Sequence, residues 1–231
     1  MGKMKNTIAL VSSDIPCIER LSEEFHVIPL PMDDEIDTPV STHPDMICTY
    51  LGGKLFFPES YAKKNSALID EIKKLSGADI VLSKAERGRK YPLDVSLNTA
   101  VIGNYLLCRE KSTSRELLSY ANECGMTVLD TKQGYSGCSC IVCGENVITS
   151  DVGIYKLLLS TGITCKLTQE KITLDGYNCG FIGGCGGYHD GCVYLFGESE
   201  ENFYGCETVS LMNGGLTDYG GIKFIPITKG V

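Results

Sequence analysis

Nowhere in these 231 residues does an apolar run approach the length of a membrane span. Basic residues are scattered, with no block of lysines or arginines, and 21 Lys+Arg against 29 Asp+Glu leave a formal net charge of −8. A nucleic-acid surface and a membrane anchor are therefore not expected, and a neutral or cationic small molecule suits the charge better than an anion. Much of that charge serves solubility alone. The glycine-rich stretch GYNCGFIGGCGGYHDGC, from Gly176 to Cys192, lacks the Gly-Lys-Ser/Thr ending of a phosphate loop. No helical pattern opens directly behind it, so phosphate-loop and dinucleotide readings both fall away. At the N-terminus, MGKMKNTIALVSSD places lysines before an apolar run, but Ser12, Ser13 and Asp14 end that run and no small-residue cleavage site follows. Thr7 to Ser12 is expected to be a first strand and not part of a signal peptide.

What the chain has in quantity is glycine and cysteine, 26 and 12 residues. Without a secretory signal, the cysteines are expected as thiols in a reducing, cytoplasmic setting. Cys17, Cys108, Cys124 and Cys165 fall in apolar-periodic segments and behave as small hydrophobes. Cys138-x-Cys140-x-x-Cys143, with Cys179, Cys185, His189 and Cys192 downstream, could supply ligands to zinc or an iron–sulfur cluster. The spacing lacks paired CxxC motifs, and a strand over 139–143 would point Cys140 and Cys143 to opposite faces. No metal is expected, and a cysteine-rich metal-binding protein stands third among the functional readings.

The turns repeat. QGYSGC around Tyr135, DGYNCG around Tyr177 and TDYGGI around Tyr219 are equally spaced along the chain. Behind them the same grammar recurs: an amphipathic helix, a glycine, then a short strand. It runs from Ser60 through Gly77 to Leu82, from Thr113 and Glu116 (a capping box) through Gly125 to Leu129, and from Ser150 or Asp151 through Gly162 to Leu167. A further copy spans Ile8 to Leu30 with a helix around Pro16 to Phe25, and a shortened one spans Cys192 to Ile225 with at most a brief helix near Glu198 to Tyr204. Paired apolar runs lie between them: Met46–Leu51 with Lys54–Phe57, Thr99–Gly103 with Tyr105–Cys108, and Ser139–Val142 with Asn146–Thr149. The expectation is one α/β domain over 1–231. Its units of about forty residues, each strand-strand-helix-strand, span approximately 6–45, 46–98, 99–139, 140–186 and 187–231 and form a ring of small sheets. An ordinary open α/β sheet is the alternative.

Three histidines are present. His26 falls between a helix and a strand, His189 in a glycine turn, and His43 in a polar loop before a strand. The long segment SKAERGRKYPLDVSLN, Ser83 to Asn98, carries Lys84, Arg87, Arg89 and Lys90. It reads as a solvated loop or as a basic lid suited to a ligand carboxylate.

THPDMICTYLGGKLFFPE, KQGYSGCSCIVCGENVITSDVGI, GYNCGFIGG and LTDYGGI together resemble an uncharacterised group assigned to the guanidino-group-modifying-enzyme fold, the pentein. That fold is a five-bladed, pseudo-fivefold α/β propeller shared by arginine deiminase, dimethylargininase and amidinotransferases. The resemblance to the uncharacterised group covers nearly the whole chain; to the characterised enzymes it rests on fold grammar and one short motif. It implies inter-unit turns around an axial pocket, an H-x-D histidine as acid and base, a nucleophilic cysteine, and carboxylates that clamp a guanidinium. His43-Pro44-Asp45 matches H-x-D. In those enzymes the cysteine follows a glycine-rich stretch near the C-terminus, whereas here no cysteine follows Cys206. Cys138 in GYSGCS or Cys185 in GGCGG would have to serve, with Asp45 and Asp218 as binding carboxylates and Tyr135, Tyr177 and Asn178 lining the pocket. The implied activity is hydrolysis or group transfer on a guanidino or amidine compound, with no cofactor. The alternative is a binding or interaction protein on the same scaffold, as the ribosome anti-association factor exemplifies. No feature of the sequence speaks to oligomeric state.

Overall fold

The computed structural model describes residues 5–228. Its strands form five three-stranded sheets built to one plan. The chain opens with β1 (Thr7–Ser12), a short helix α1 (Ile18–Leu21) and β2 (His26–Leu30). After the short helix α2 (Pro44–Ile47), the second sheet comprises β3 (Thr49–Leu51), β4 (Lys54–Pro58) and β5 (Asp79–Ser83), with α3 (Glu59–Lys64) and α4 (Ser66–Ser76) between the last two strands. The third has β6 (Ala100–Ile102), β7 (Tyr105–Cys108), α5 (Arg115–Glu123) and β8 (Thr127–Asp130). The fourth has β9 (Cys140–Cys143), β10 (Asn146–Thr149), α6 (Val152–Ser160) and β11 (Cys165–Leu167). The fifth has β12 (Gly186–His189), β13 (Cys192–Leu195) and β14 (Glu207–Ser210).

In every sheet the middle strand runs antiparallel to the first and parallel to the third. A tight turn joins the antiparallel pair in four of them, and a crossover returns the chain for the parallel partner. In the first sheet the antiparallel partner comes from the other end of the chain: β15 (Lys223–Pro226) pairs with β1, Ile225 opposite Ile8. The segment expected as the unit 187–231 is thus divided between two sheets, because β15 satisfies the edge of β1 instead of joining Cys192–Leu195.

Local sequence accounts for most of these elements. Gly77, Gly125 and Gly162 follow α4, α5 and α6 at φ of 67°, 71° and 81°, the left-handed conformation that stops each helix. Asp151 caps α6 by accepting from the Ile154 amide at 2.7 Å. The expected capping box of Thr113 and Glu116 does not form. Ser114 precedes α5, its hydroxyl bonds the Glu116 side chain, and the Thr113 hydroxyl turns back to the Arg109 carbonyl. The crossover from β13 to β14 has no helix. The loop 196–206 crosses the sheet instead, and the fully buried Phe203 fills the space against Ile141, Val193 and Leu216.

Each sheet is buried on both faces, and alternation along the strands decides which neighbour a residue meets. On β1, Ile8 and Leu10 pack with Leu55, Phe57, Ile69 and Ile72 of the second unit, whereas Ala9 and Val11 pack with Tyr194, Phe196 and Leu211 of the fifth. Leu51 and Phe56 meet Leu106 and Leu117; Ala100 and Leu107 meet Val147 and Ile154; Ile141 and Ile148 meet Val193 and Leu195. The first strands of all five sheets also contribute to one cavity of about 210 Å³, through Tyr50, Val101, Val142, Tyr188 and Lys223. Among the described residues no helix is long and apolar enough to cross a membrane.

Ile225 tests the pairing of the chain ends. Its side chain is fully buried among residues of the first and second sheets. Ile225→Ala is expected to cost about 2–5 kcal/mol in urea denaturation. A loss well under about 1 kcal/mol would show that β15 is not an integral strand.

Candidate functional site

His43 leaves an extended backbone (φ −72°, ψ 120°) and Pro44 occupies the first helical position of α2. Proline there sacrifices no hydrogen bond and fixes the entry angle, so the H-x-D spelling aims two polar side chains inward at one place. The Asp45 amide donates to the Gly220 carbonyl at 3.2 Å, which ties α2 to the turn carrying Asp218. Asp218 is held in turn by the Phe181 amide on Oδ2 and the Gly220 amide on Oδ1, each at 2.9 Å. His43 Nδ1 lies 3.8 Å from Asp218 Oδ1.

The thiol of Cys138 completes the cluster. Asn98, fully buried, accepts from the Gly137 and Cys138 amides through Oδ1 at 2.7 and 3.2 Å. Its Nδ2 donates to Cys138 Sγ at 2.9 Å and to Met46 Sδ at 3.0 Å. One amide side chain therefore fixes both the turn and its sulfur. His43, Cys138 and Asp218 open on a single cavity of about 260 Å³, which Tyr135, Tyr177 and Asn178 also line. The Tyr135 ring stacks on Phe181 at 5.8 Å, and apolar side chains such as Met46 and Leu174 complete the wall.

Seven of the eight residues singled out from the sequence thus gather: six on the cavity and Asp45 beside Cys138. Cys185 does not. It is fully buried in the cluster with Ile141, Ile148 and Val193, and its thiol donates to the Phe181 carbonyl at 3.4 Å. Burial pushes that thiol well above its ordinary range, with Asp218 adding to the effect. The glycines around it have a steric task. A Cβ on Gly184 would lie 1.7 Å from Asp218 Oδ1, and one on Gly220 would lie 2.2 Å from the Cβ of His43. Only a bare backbone admits the carboxylate and the imidazole to their positions.

The electrostatics are those of buried carboxyl groups with no lysine or arginine in contact among the described residues. Neither oxygen of Asp45 has a hydrogen-bond partner among the described residues. Burial raises its pKa to about 6, against a downward pull from Lys223. Burial raises Asp218 to about 7, and the neighbouring Asp45 adds to the rise. Burial alone drives His43 down to about 4, leaving a neutral imidazole at neutral pH. Burial, followed by the charges of Asp45 and Asp218, pushes the Cys138 thiol well up, so the site holds a thiol and not a thiolate.

Several neighbours had no signature in the sequence. Asn98 is one, and the exposed Cys179, weighed in the sequence only as a metal ligand, is a second thiol on the cavity wall. Arg87, in the segment expected as a basic lid, is buried instead, paired with Asp33 and donating to the Met46 carbonyl at 3.3 Å. Cys140 and Cys143 point into different clusters. Among the described residues no three His, Cys, Asp or Glu side chains converge as metal ligands. His189 stacks on Phe224 at 5.0 Å, and His26 lies 4.0 Å from Glu71, both away from this cavity.

The features above define a class, an α/β protein of five like sheets with a polar cluster of histidine, thiol and two carboxyls. Within that class the chain belongs to a family of unknown function, DUF6873, whose profile spans residues 12–223. No curated protein matches it.

The carboxyl pair sets a pH dependence. Asp45 and Asp218 hold protons in the folded state that the unfolded chain releases above about pH 4. They therefore contribute stability at acid pH that is lost as pH rises toward 6–7. His43 acts in the opposite sense, its contribution lost as pH falls from about 6.5 toward 4. Asp45→Asn removes one acid and relieves the other, so its stability relative to wild type should be more favourable at pH 8 than at pH 5, by about 1–3 kcal/mol. Chemical denaturation at the two pH values measures this. An equal or reversed difference would contradict the buried charge.

Proposed function

We propose that the five sheets close into a pentein-like ring in a cytoplasmic protein. On this reading the cavity at His43, Asp45, Cys138 and Asp218 takes the guanidinium or amidinium end of a small molecule and turns it over through a covalent thiol intermediate. The observation that carries this is the shared cavity: a neutral imidazole, a thiol and the Asp218 carboxyl on one wall, with the buried Asp45 carboxyl beside the thiol. The cyclic order of inter-sheet packing and the pairing of β15 with β1 support the ring.

The steps follow from the electrostatics. A planar cation entering beside Asp45 and Asp218 neutralises the charges that hold the Cys138 proton, which lowers the thiol pKa when substrate is present. Neutral His43 accepts that proton, sulfur bonds to the central carbon, and the imidazolium returns the proton to the departing amine. Water, deprotonated by the same imidazole, then attacks the carbon and expels the sulfur in a hydrolase; an acceptor amine does so in a transferase. Cys138, rather than Cys179, is the nucleophile because both carboxyl charges act on it.

One observation favours a second reading. Cys138 is buried and held by Asn98, with Met46 beside it, an arrangement equally suited to binding without turnover.

A haloacetamidine, a cationic electrophile of the proposed shape, separates these. Peptide mapping is expected to find Cys138 modified at least about tenfold faster than exposed Cys124, and Asp218→Asn is expected to slow that reaction selectively. A neutral haloacetamide should lack the preference. Even, slow labelling of surface thiols with Cys138 untouched would remove the thiol mechanism, and protection against unfolding by a guanidinium ligand would then leave the binding reading.

A further inference from the structure

We infer that the ligand of this cavity carries no anionic group: it is a guanidino or amidine compound whose far end is neutral or cationic, not a guanidino acid. The inference rests on the reading above and narrows it to a substrate class.

The wall offers acceptors. The Tyr135 hydroxyl donates to Asp94 Oδ2 and the Tyr177 hydroxyl to Asp37 Oδ2, both at 2.7 Å. With each proton committed to a carboxylate, the tyrosine oxygens turn only lone pairs to a ligand. Below them Asp218 offers carboxyl oxygens, and neutral His43 offers one ring acceptor beside its one N–H. Asn178 is the side chain on this wall with amide N–H groups to give. A ligand rich in N–H donors meets this lining; a carboxylate meets oxygen against oxygen.

Charge points the same way. No lysine or arginine lines the cavity among the described residues. Arg87 is buried and committed to Asp33. Arg109 lies over the ring of Tyr91 and bonds its hydroxyl, outside the cavity. Lys223 lines the separate cavity among the first strands. Against these stand Asp218 on the cavity, Asp45 beside Cys138, and Asp37 and Asp94 bonded to the tyrosine hydroxyls. Asp94 spends one oxygen on the Tyr135 hydroxyl, and its buried Oδ1 has no hydrogen-bond partner among the described residues. An anionic tail would lie beside like charges and without a counter-ion on the cavity wall.

Calorimetric titration at pH 7.5 with three ligands of one chain length tests this: an alkylguanidine, an ω-guanidino amine and an ω-guanidino acid. The first two are expected to bind, with the acid at least about tenfold weaker than the alkylguanidine. Asp94→Asn should narrow that ratio, a comparison within one variant that a modest loss of stability does not move. Equal or tighter binding of the acid overturns the inference and leaves the guanidinium reading standing. Failure of all three to bind overturns both.

Discussion

One run of backbone, Gly183 to Gly186, is wedged where two turns meet, and the polar centre of the protein depends on that close approach. The Gly184 amide donates to the Cys138 carbonyl at 3.2 Å, and its carbonyl accepts from the Tyr219 and Gly221 amides at 2.9 Å. The thiol turn and the carboxylate turn are thus hydrogen-bonded to the same residue. No side chain fits there, since the oxygen of Asp218 occupies the place of a Cβ. With no side chain at Gly184, Asp218 packs close to His43 and Asp45, and the burial of all three sets their protonation.

The electrostatic state of the site follows from packing more than from pairing. A buried carboxyl is ordinarily matched by a cation or by several donors. Asp218 has two backbone donors and Asp45 none among the described residues. The buried cation Arg87 is matched to Asp33, and Lys223, which pulls on Asp45, lines the cavity among the first strands. The arrangement costs stability, and such a cost is commonly found where a ligand supplies what is missing. That is why a cationic ligand, and not the chain itself, is the natural partner of this cluster.

Much of the architecture was legible because each unit spells out its own elements. Gly77, Gly125 and Gly162 mark helix ends, and strand pairs such as Lys54–Pro58 with Thr49–Leu51 carry their turns between them. What could not be read is what joins residues distant in sequence. The pairing of β15 with β1 leaves no local trace, and the helix-free crossover before β14 depends on Phe203 finding a site against other sheets. At the site, His43, Asp45 and Asp218 stood out through H-x-D spelling and repeated turns. Asn98 looked like any loop asparagine, and Arg87 looked like a solvated charge until Asp33 was placed against it. Cys138 and Cys185 sat in equally glycine-rich contexts, and only packing separates the thiol on the cavity from the thiol in the core.

The central claim is that Asp45 and Asp218 form a buried acid pair awaiting a cation. Carbon-detected NMR titration of the aspartate carboxyls addresses it directly. The account predicts carboxyl resonances titrating near neutrality in the free protein, lost in Asp45→Asn and Asp218→Asn, and driven to the ionised form at pH 6 by an alkylguanidine. Titration of every aspartate in the ordinary range near pH 4, unmoved by the ligand, would contradict it.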